Sequence, residues 1–244
     1  MKALFLTLFA VLLMLHQISA QFSLDIETGM VSTAYNDVRI PGEGGTFVSL
    51  SDEFDAGTQL FYRLKVGYHI TERQEVLLLL APLKFEYSGL PGRDVMFRNS
   101  IFAADQFLEV TYKFNSYRIS YRYHLVDNEN LRIGLGLTVK LRDAYIDFAG
   151  GGISSRKDDL GFVPLINFII HWKPTDRWGL LLDGDALAAP QGRAEDVFLA
   201  VSHMITESFM LKAGYRLLEG GADNNSVYTF SMFHYATVGL LWTL

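Results

Sequence analysis

The chain contains no cysteine in its 244 residues. Disulfides, thiolate metal sites, a cysteine nucleophile and a lipid-anchored cysteine are all excluded. Basic residues are in the minority, 21 Lys and Arg against 27 Asp and Glu, which argues against nucleic acid, a partner that needs a basic face. Only six prolines occur, and no Pro-rich linker or low-complexity tract divides the chain. Beyond residue 20 no apolar run suits a membrane helix: the stretch Leu77 to Leu83 is far short of the roughly 20 residues needed.

Residues 1–20 stand apart. Lys2 is followed by an apolar run from Ala3 to Leu15, broken only by Thr7, and then by His16-Gln-Ile-Ser-Ala20. A positive start, an apolar middle and small residues before a cut at Gln21 make a secretory signal peptide. The alternative, an anchoring helix, is disfavoured by the shortness of the run. Cleavage removes Lys2 and no acid, taking the 21 basic residues to 20 against 27 acidic ones, a net charge of −7. The remaining residues 21–244 form one domain.

That domain reads as alternating apolar and polar positions. Its last segment, Val227 to Leu244, puts Ala236, Val238, Leu240, Trp242 and Leu244 on one face, and Thr229, Ser231, Tyr235, Thr237, Gly239 and Thr243 on the other. Alternation by two is the signature of a strand with one oily face. Ten such strands are expected, at 22–40, 57–71, 74–88, 107–126, 131–148, 160–173, 178–189, 196–206, 209–219 and 227–243. Short polar turns (71–74, 127–130, 174–177, 206–208) alternate with longer loops (41–56, 89–106, 149–159, 190–195, 220–226). The fold class this implies is all-β: a transmembrane, antiparallel, up-and-down β-barrel of about ten strands, with oil facing lipid and polar groups facing the lumen. An even strand number puts both termini on the short-turn side. Dimensions agree. Phe162, Pro164, Ile166, Phe168, Ile170 and Trp172 share a face; ten steps of ~3.3 Å, tilted by ~40°, span about 25 Å. Tyr68, Tyr123, Trp172, Trp178 and Trp242 near the short-turn ends make one aromatic girdle.

By parity the lumen receives Asp25, Glu27, Arg63, Lys65, His69, Lys84, Glu86, Arg118, Ser120, Arg122 and His124. Arg132, Lys140, Arg142, Asn167, His171, Asp183, Asp185, Lys212 and Arg216 join them. Unpaired burial of these charges would be prohibitive, so they are expected to pair across a narrow barrel. Along the fourth strand Val110, Tyr112 and Phe114 and then Tyr117, Ile119, Tyr121 and Tyr123 keep one side only if a bulge lies near Asn115-Ser116.

The signal peptide, the ten alternating strands and the terminal strand together resemble the outer-membrane β-barrel proteins of Gram-negative bacteria. The resemblance implies a bacterial outer-membrane location with both termini periplasmic. It also implies contact with outer-membrane lipid and lipopolysaccharide, and a last strand read by the barrel-assembly machinery. Leu240, Trp242 and Leu244 match that strand's alternation, though Leu244 departs from its usual terminal aromatic. Ten-stranded members include omptin proteases and opacity-type adhesins, so the strand count does not decide function.

Asp183-Gly-Asp185 can position water or a cation, or pair with Lys140, Arg142, Lys212 or Arg216. His69, His124 and His171 share the lumen near the short-turn ends, with His203 on the other face; alternate strands are expected to hold the rings too far apart for one ion. His234 faces lipid, and Ser231 lies on the opposite face. The tracts 189–196 and 218–225 would make an outer lip, and the acidic 51–55 segment a weak divalent-ion site. The expected function is therefore a structural or binding protein, or a narrow channel for a small solute or ion. Arg63, Lys65, Arg118, Arg122, Lys140, Arg142, Asp183, Asp185, Lys212 and Arg216 would line its charged, largely plugged lumen and set any selectivity. No cofactor, metal, catalytic residue or nucleic-acid partner is expected. An outer-rim enzyme (lipid A acyl-modifying or omptin-like protease) and a surface adhesin remain as alternatives.

Overall fold

A sheet with an oily outer face is stable in lipid only if it leaves no edge unpaired. The chain meets this condition by joining its last strand to its first. In the computed structural model, which describes residues 21–190 and 192–244, the strands in order are β1 (Phe22–Arg39), β2 (Val48–Ser49), β3 (Gln59–Thr71), β4 (Gln74–Ala81), β5 (Lys84–Gly89), β6 (Val95–Phe97), β7 (Ser100–Phe102), β8 (Leu108–Asp127), β9 (Leu131–Gly150), β10 (Ile153–Trp172), β11 (Trp178–Ala189), β12 (Gly192–Met204), β13 (Phe209–Asn224) and β14 (Val227–Thr243). A single helical turn, α1 (Leu50–Glu53), follows β2. The expected leader, residues 1–20, lies outside the described residues.

Antiparallel neighbours run β1, β3, β4, β8 and on through β14, and β14 pairs back to β1 from Ser23↔Thr243 to Arg39↔Tyr228. The result is a closed ten-stranded antiparallel barrel. Its third wall position is shared: β4 and β5 both pair with β8, interrupted at Pro82, which has no N–H to give the ladder.

The middle of the barrel carries an oily belt outside. Leu60, Tyr62, Leu78, Ile119, Tyr121, Leu135, Leu137, Val139, Phe162, Ile166, Leu199, Val201 and Val238 are all exposed. Tyr68, Tyr123, Trp172, Trp178 and Trp242 are exposed at the end that holds the chain termini. There Trp242 stacks on Phe209 at 5.8 Å, and Trp178 lies 4.3 Å from the His203 ring. Leu137 is 71% exposed, between Tyr121 and Ile166 on its two neighbouring strands. Leu137→Arg is therefore expected to lower stability in a bilayer by about 2–4 kcal/mol, as for a cation at mid-belt. Glu109→Arg, beyond the belt, should change little. Urea titration of the folded, fast-migrating gel band in liposomes reads both; equal effects would mean that the belt does not face lipid.

Three sequence expectations are corrected. First, Lys84 and Glu86 are exposed and paired with each other at 2.7 Å on the outer surface, while Phe85 and Tyr87 point inward. Glu75, Leu77, Leu79, Ala81 and Leu83 hold the same inward parity, which the run of leucines hides. Second, there is no bulge at Asn115-Ser116. The β8–β9 register runs unbroken through Phe114↔Ala144, Asn115↔Asp143 and Ser116↔Arg142. What changes there is the surroundings. Towards the far end the interior becomes apolar and the exterior polar, as in a water-soluble protein. Third, three of the expected long loops are tight. β9 and β10 extend until only Gly151 and Gly152 join them, both at positive φ (58° and 80°), a hairpin geometry that glycine adopts without strain. Likewise the segments around 190–195 and 220–226 belong largely to β12 and β13, so the expected outer lip is strand.

Candidate functional site: a lumen filled in two tiers above an open vestibule

At the far end the two long connections fold into the barrel mouth. Leu50 and Phe54 come from the first, and Val95, Phe97 and Phe102 from the second. They pack on inward-facing Phe85, Tyr87, Val110, Tyr112, Phe148 and Phe233 from the wall. Phe97 stacks on Phe148 at 4.4 Å, and Phe85 on Phe233 at 5.3 Å. Two tyrosine hydroxyls inside this plug are satisfied. Tyr87 is bonded to Thr33 (2.8 Å) and Asn36 (3.1 Å), and Tyr112 to Ser231 (2.9 Å). The bulge between Thr33 and Tyr35 lets Thr33 and Asn36 both reach inward.

Below this plug the lumen is filled by paired, charged side chains. Asp196 accepts contacts from Arg63 (2.8 Å), Arg118 (2.6 Å) and Arg216 (2.6 Å). Glu27 meets Lys212 and Arg216, each at 2.6 Å, and Asp25 also takes Lys212 at 2.6 Å. Asp183 is bound by Arg122 (2.6 Å) and by Lys65. Asp185 is bound by Arg118 (2.7 Å), Thr138 (2.6 Å) and Asn167 (2.8 Å). Every one of these carboxylates sits in a charge-assisted, hydrogen-bonded pair, the condition for a buried ion to be tolerated. A void of about 20 Å³ remains among them, room for one water molecule.

The sequence-assigned lumen residues therefore meet, but in part with other partners. Asp183 and Asp185 bind Lys65, Arg118 and Arg122, not Lys140, Arg142, Lys212 or Arg216. Arg142 pairs with Asp159 at 2.6 Å. Lys140 makes no ion pair among the described residues and lies 4.4 Å from the Phe114 ring. Asp196, which ties three arginines together, was not among the expected lumen residues. It stands where strand alternation gives way to a Gly-Arg-Ala-Glu tract. Glu75 was missed for the same reason as the leucines beside it.

Towards the chain termini the ion tier opens into a vestibule of about 350 Å³, lined in part by Ser23, His69, Glu75, Arg122, His124, His171, Met210 and Thr243. His171 bonds Ser202 at 2.8 Å. His69 and His124, expected to be too far apart, converge on Glu75 between them. Elsewhere, His234 bonds Tyr215 on the outer face while Ser231 points inward, so they form no unit. In the acidic 51–55 segment, Glu53 is taken by Arg93.

No family profile and no curated protein sequence matches the chain. Solved structures do. The outer membrane protease OmpT of Escherichia coli is similar over 93% of this chain and 97% of its own, at 11% identity and a TM-score of 0.58. The translocator domain of the autotransporter NalP of Neisseria meningitidis covers 98% and 97% at 9% identity, with a TM-score of 0.45. The attachment invasion locus protein Ail of Yersinia pestis covers 91% and 99% at 11% identity, with a TM-score of 0.42. At such identities the likeness is one of fold. The closed barrel, its oily belt and the likeness to OmpT together give the chain the architecture of the Gram-negative outer-membrane β-barrels.

Proposed function

We propose that the protein is a non-conducting outer-membrane barrel, a structural or binding protein held in lipid, with both chain ends in the periplasm. One observation carries this reading: among the described residues the lumen is filled twice in series, by the aromatic plug and by the ion network, with an open vestibule below them. A solute crossing the barrel would have to break both tiers. The short turns at the terminus end and the charged far end fit the short periplasmic and longer outer connections of such barrels. The belt would contact lipid, and the polar far end the lipopolysaccharide head groups. The terminal strand from Ala236 to Leu244 would be what the assembly machinery reads.

Planar-bilayer recording of the refolded protein tests the reading, with a heat-dependent gel shift confirming the fold. The expected result is a folded barrel that stays silent. Steady, ion-selective steps from the unaltered protein would overturn it and establish a narrow channel.

A further inference from the structure

His69 and His124 have no part in the lipid belt, the aromatic plug or the ion pairs of the central tier. We propose that His69, Glu75 and His124 form a site for one divalent transition-metal cation of the zinc class, entered from the vestibule.

The strand register builds the cluster. His69 on β3 lies directly opposite Glu75 on β4, and Glu75 lies opposite Arg122 on β8. His124 is two residues further along β8, on the same face and diagonal to Glu75. Both histidine strands shift register just past the ring, between His69 and Thr71 and between His124 and Val126. Such bulges re-aim side chains. Opposite His124 is Gly134, where an added Cβ would come within 3.0 Å of His124 Nδ1 and of Arg122 Cδ, so the glycine leaves the ring its space.

Each histidine stands near ligand-to-ligand spacing from one oxygen of Glu75. His124 Nε2 lies 3.3 Å from Glu75 Oε1, and His69 Nε2 lies 3.6 Å from Glu75 Oε2. Ligands held about 2.0–2.1 Å from a tetrahedral ion stand about 3.3–3.4 Å from one another. One ligand atom from each of the three residues falls within 4.8 Å of the others. His124 is 1% exposed, yet neither of its ring nitrogens has a hydrogen-bond partner, and His69 Nδ1 has none either. Buried polar atoms are seldom left so. A bound cation would satisfy one of the two unpartnered nitrogens of His124. Arg122 donates to Glu75 Oε1 at 2.9 Å and so orients the carboxylate, as groups around a metal site commonly do.

Two imidazoles and a carboxylate suit zinc, copper or nickel. Magnesium and calcium favour all-oxygen sets. The fourth position would face the vestibule, open to water or to a ligand from the compartment on that side.

The test is equilibrium dialysis of detergent-solubilised protein, purified without a histidine tag, against Zn2+, with and without excess Mg2+. The expected result is one Zn2+ per chain that Mg2+ does not displace. Affinity should fall at least tenfold in His69→Ala and in His124→Ala. Co2+ at the site should show the visible absorption of a tetrahedral ion, lost in both variants. The heat-dependent gel shift checks folding. If His124→Ala does not fold, His69→Ala decides, because His69 is half-buried at the cavity edge. No bound Zn2+ in the unaltered protein, or equal binding in His69→Ala, would overturn the proposal and leave the histidines as lining of the vestibule.

Discussion

Asp196→Ala is expected to be among the most damaging single changes in the barrel, costing about 3–5 kcal/mol, as when a buried pair loses one partner. Three guanidinium groups from β3, β8 and β13 converge on this one carboxylate from β12, all at 2.6–2.8 Å and almost wholly buried. Removing it leaves three guanidinium groups each short of a partner, in a lumen with room for little water. The loss is bounded because each arginine keeps another acid: Arg63 and Arg216 keep Glu27, and Arg118 keeps Asp185. Urea midpoints of the folded gel band measure the effect. Asp158→Ala is the control, since its pair with Arg156 is on the surface and worth less than about 1 kcal/mol. Adding Arg118→Ala to Asp196→Ala should recover part of the loss, because the two share one network. A loss in Asp196→Ala no larger than in the control would mean that the ion tier does not hold the barrel together.

The architecture was largely legible in the sequence, and the reason is local. On β10 and β14 the lipid belt demands an apolar residue at every second position, and nothing else competes for those positions. Phe162 to Trp172 and Ala236 to Leu244 therefore display the rule openly. The lumen charges were legible for the complementary reason, since Arg118, Ser120, Arg122 and His124 alternate with Ile119, Tyr121, Tyr123 and Leu125. Reading failed where the environment on one side changed while the strand continued. At Phe114 to Tyr117 the apolar face moves from inside to outside the wall, which in sequence imitates a bulge. On β4, Leu77 and Leu79 face inward beside outward Leu78 and Leu80, so no alternation exists to read. Charges at the far end misled in the same way: Lys84 and Glu86 are polar because they face water beyond the belt.

The histidine cluster was missed on a different ground. Strands two apart in a sheet are separated by roughly 10 Å of backbone. That distance argues against a shared ion only if both rings stand straight up from the sheet. Here Glu75 on the strand between supplies the third group, and both rings lean towards it. Sequence order cannot show this, because the lean depends on the register shifts after His69 and His124 and on the room left by Gly134.

Filling the lumen twice separates two properties that a single plug would join, stability and closure. Phe148→Ala tests this separation. Phe148 is fully buried among Phe54, Phe97 and Phe102, so its truncation removes the ring on which the inserted hairpin of β6 and β7 rests. The expected loss is about 3–5 kcal/mol, the usual range for a large aromatic in a packed core. Leu160→Ala, at an exposed site on the outer face, should fall well below that. Yet the Phe148→Ala barrel should stay silent in a planar bilayer, because the ion pairs around Asp196 and Asp183 lie below the cavity it opens and are untouched by it. Steps of current from this variant alone would show that the aromatic tier was the whole seal, and that the ions beneath it are a hydrated path.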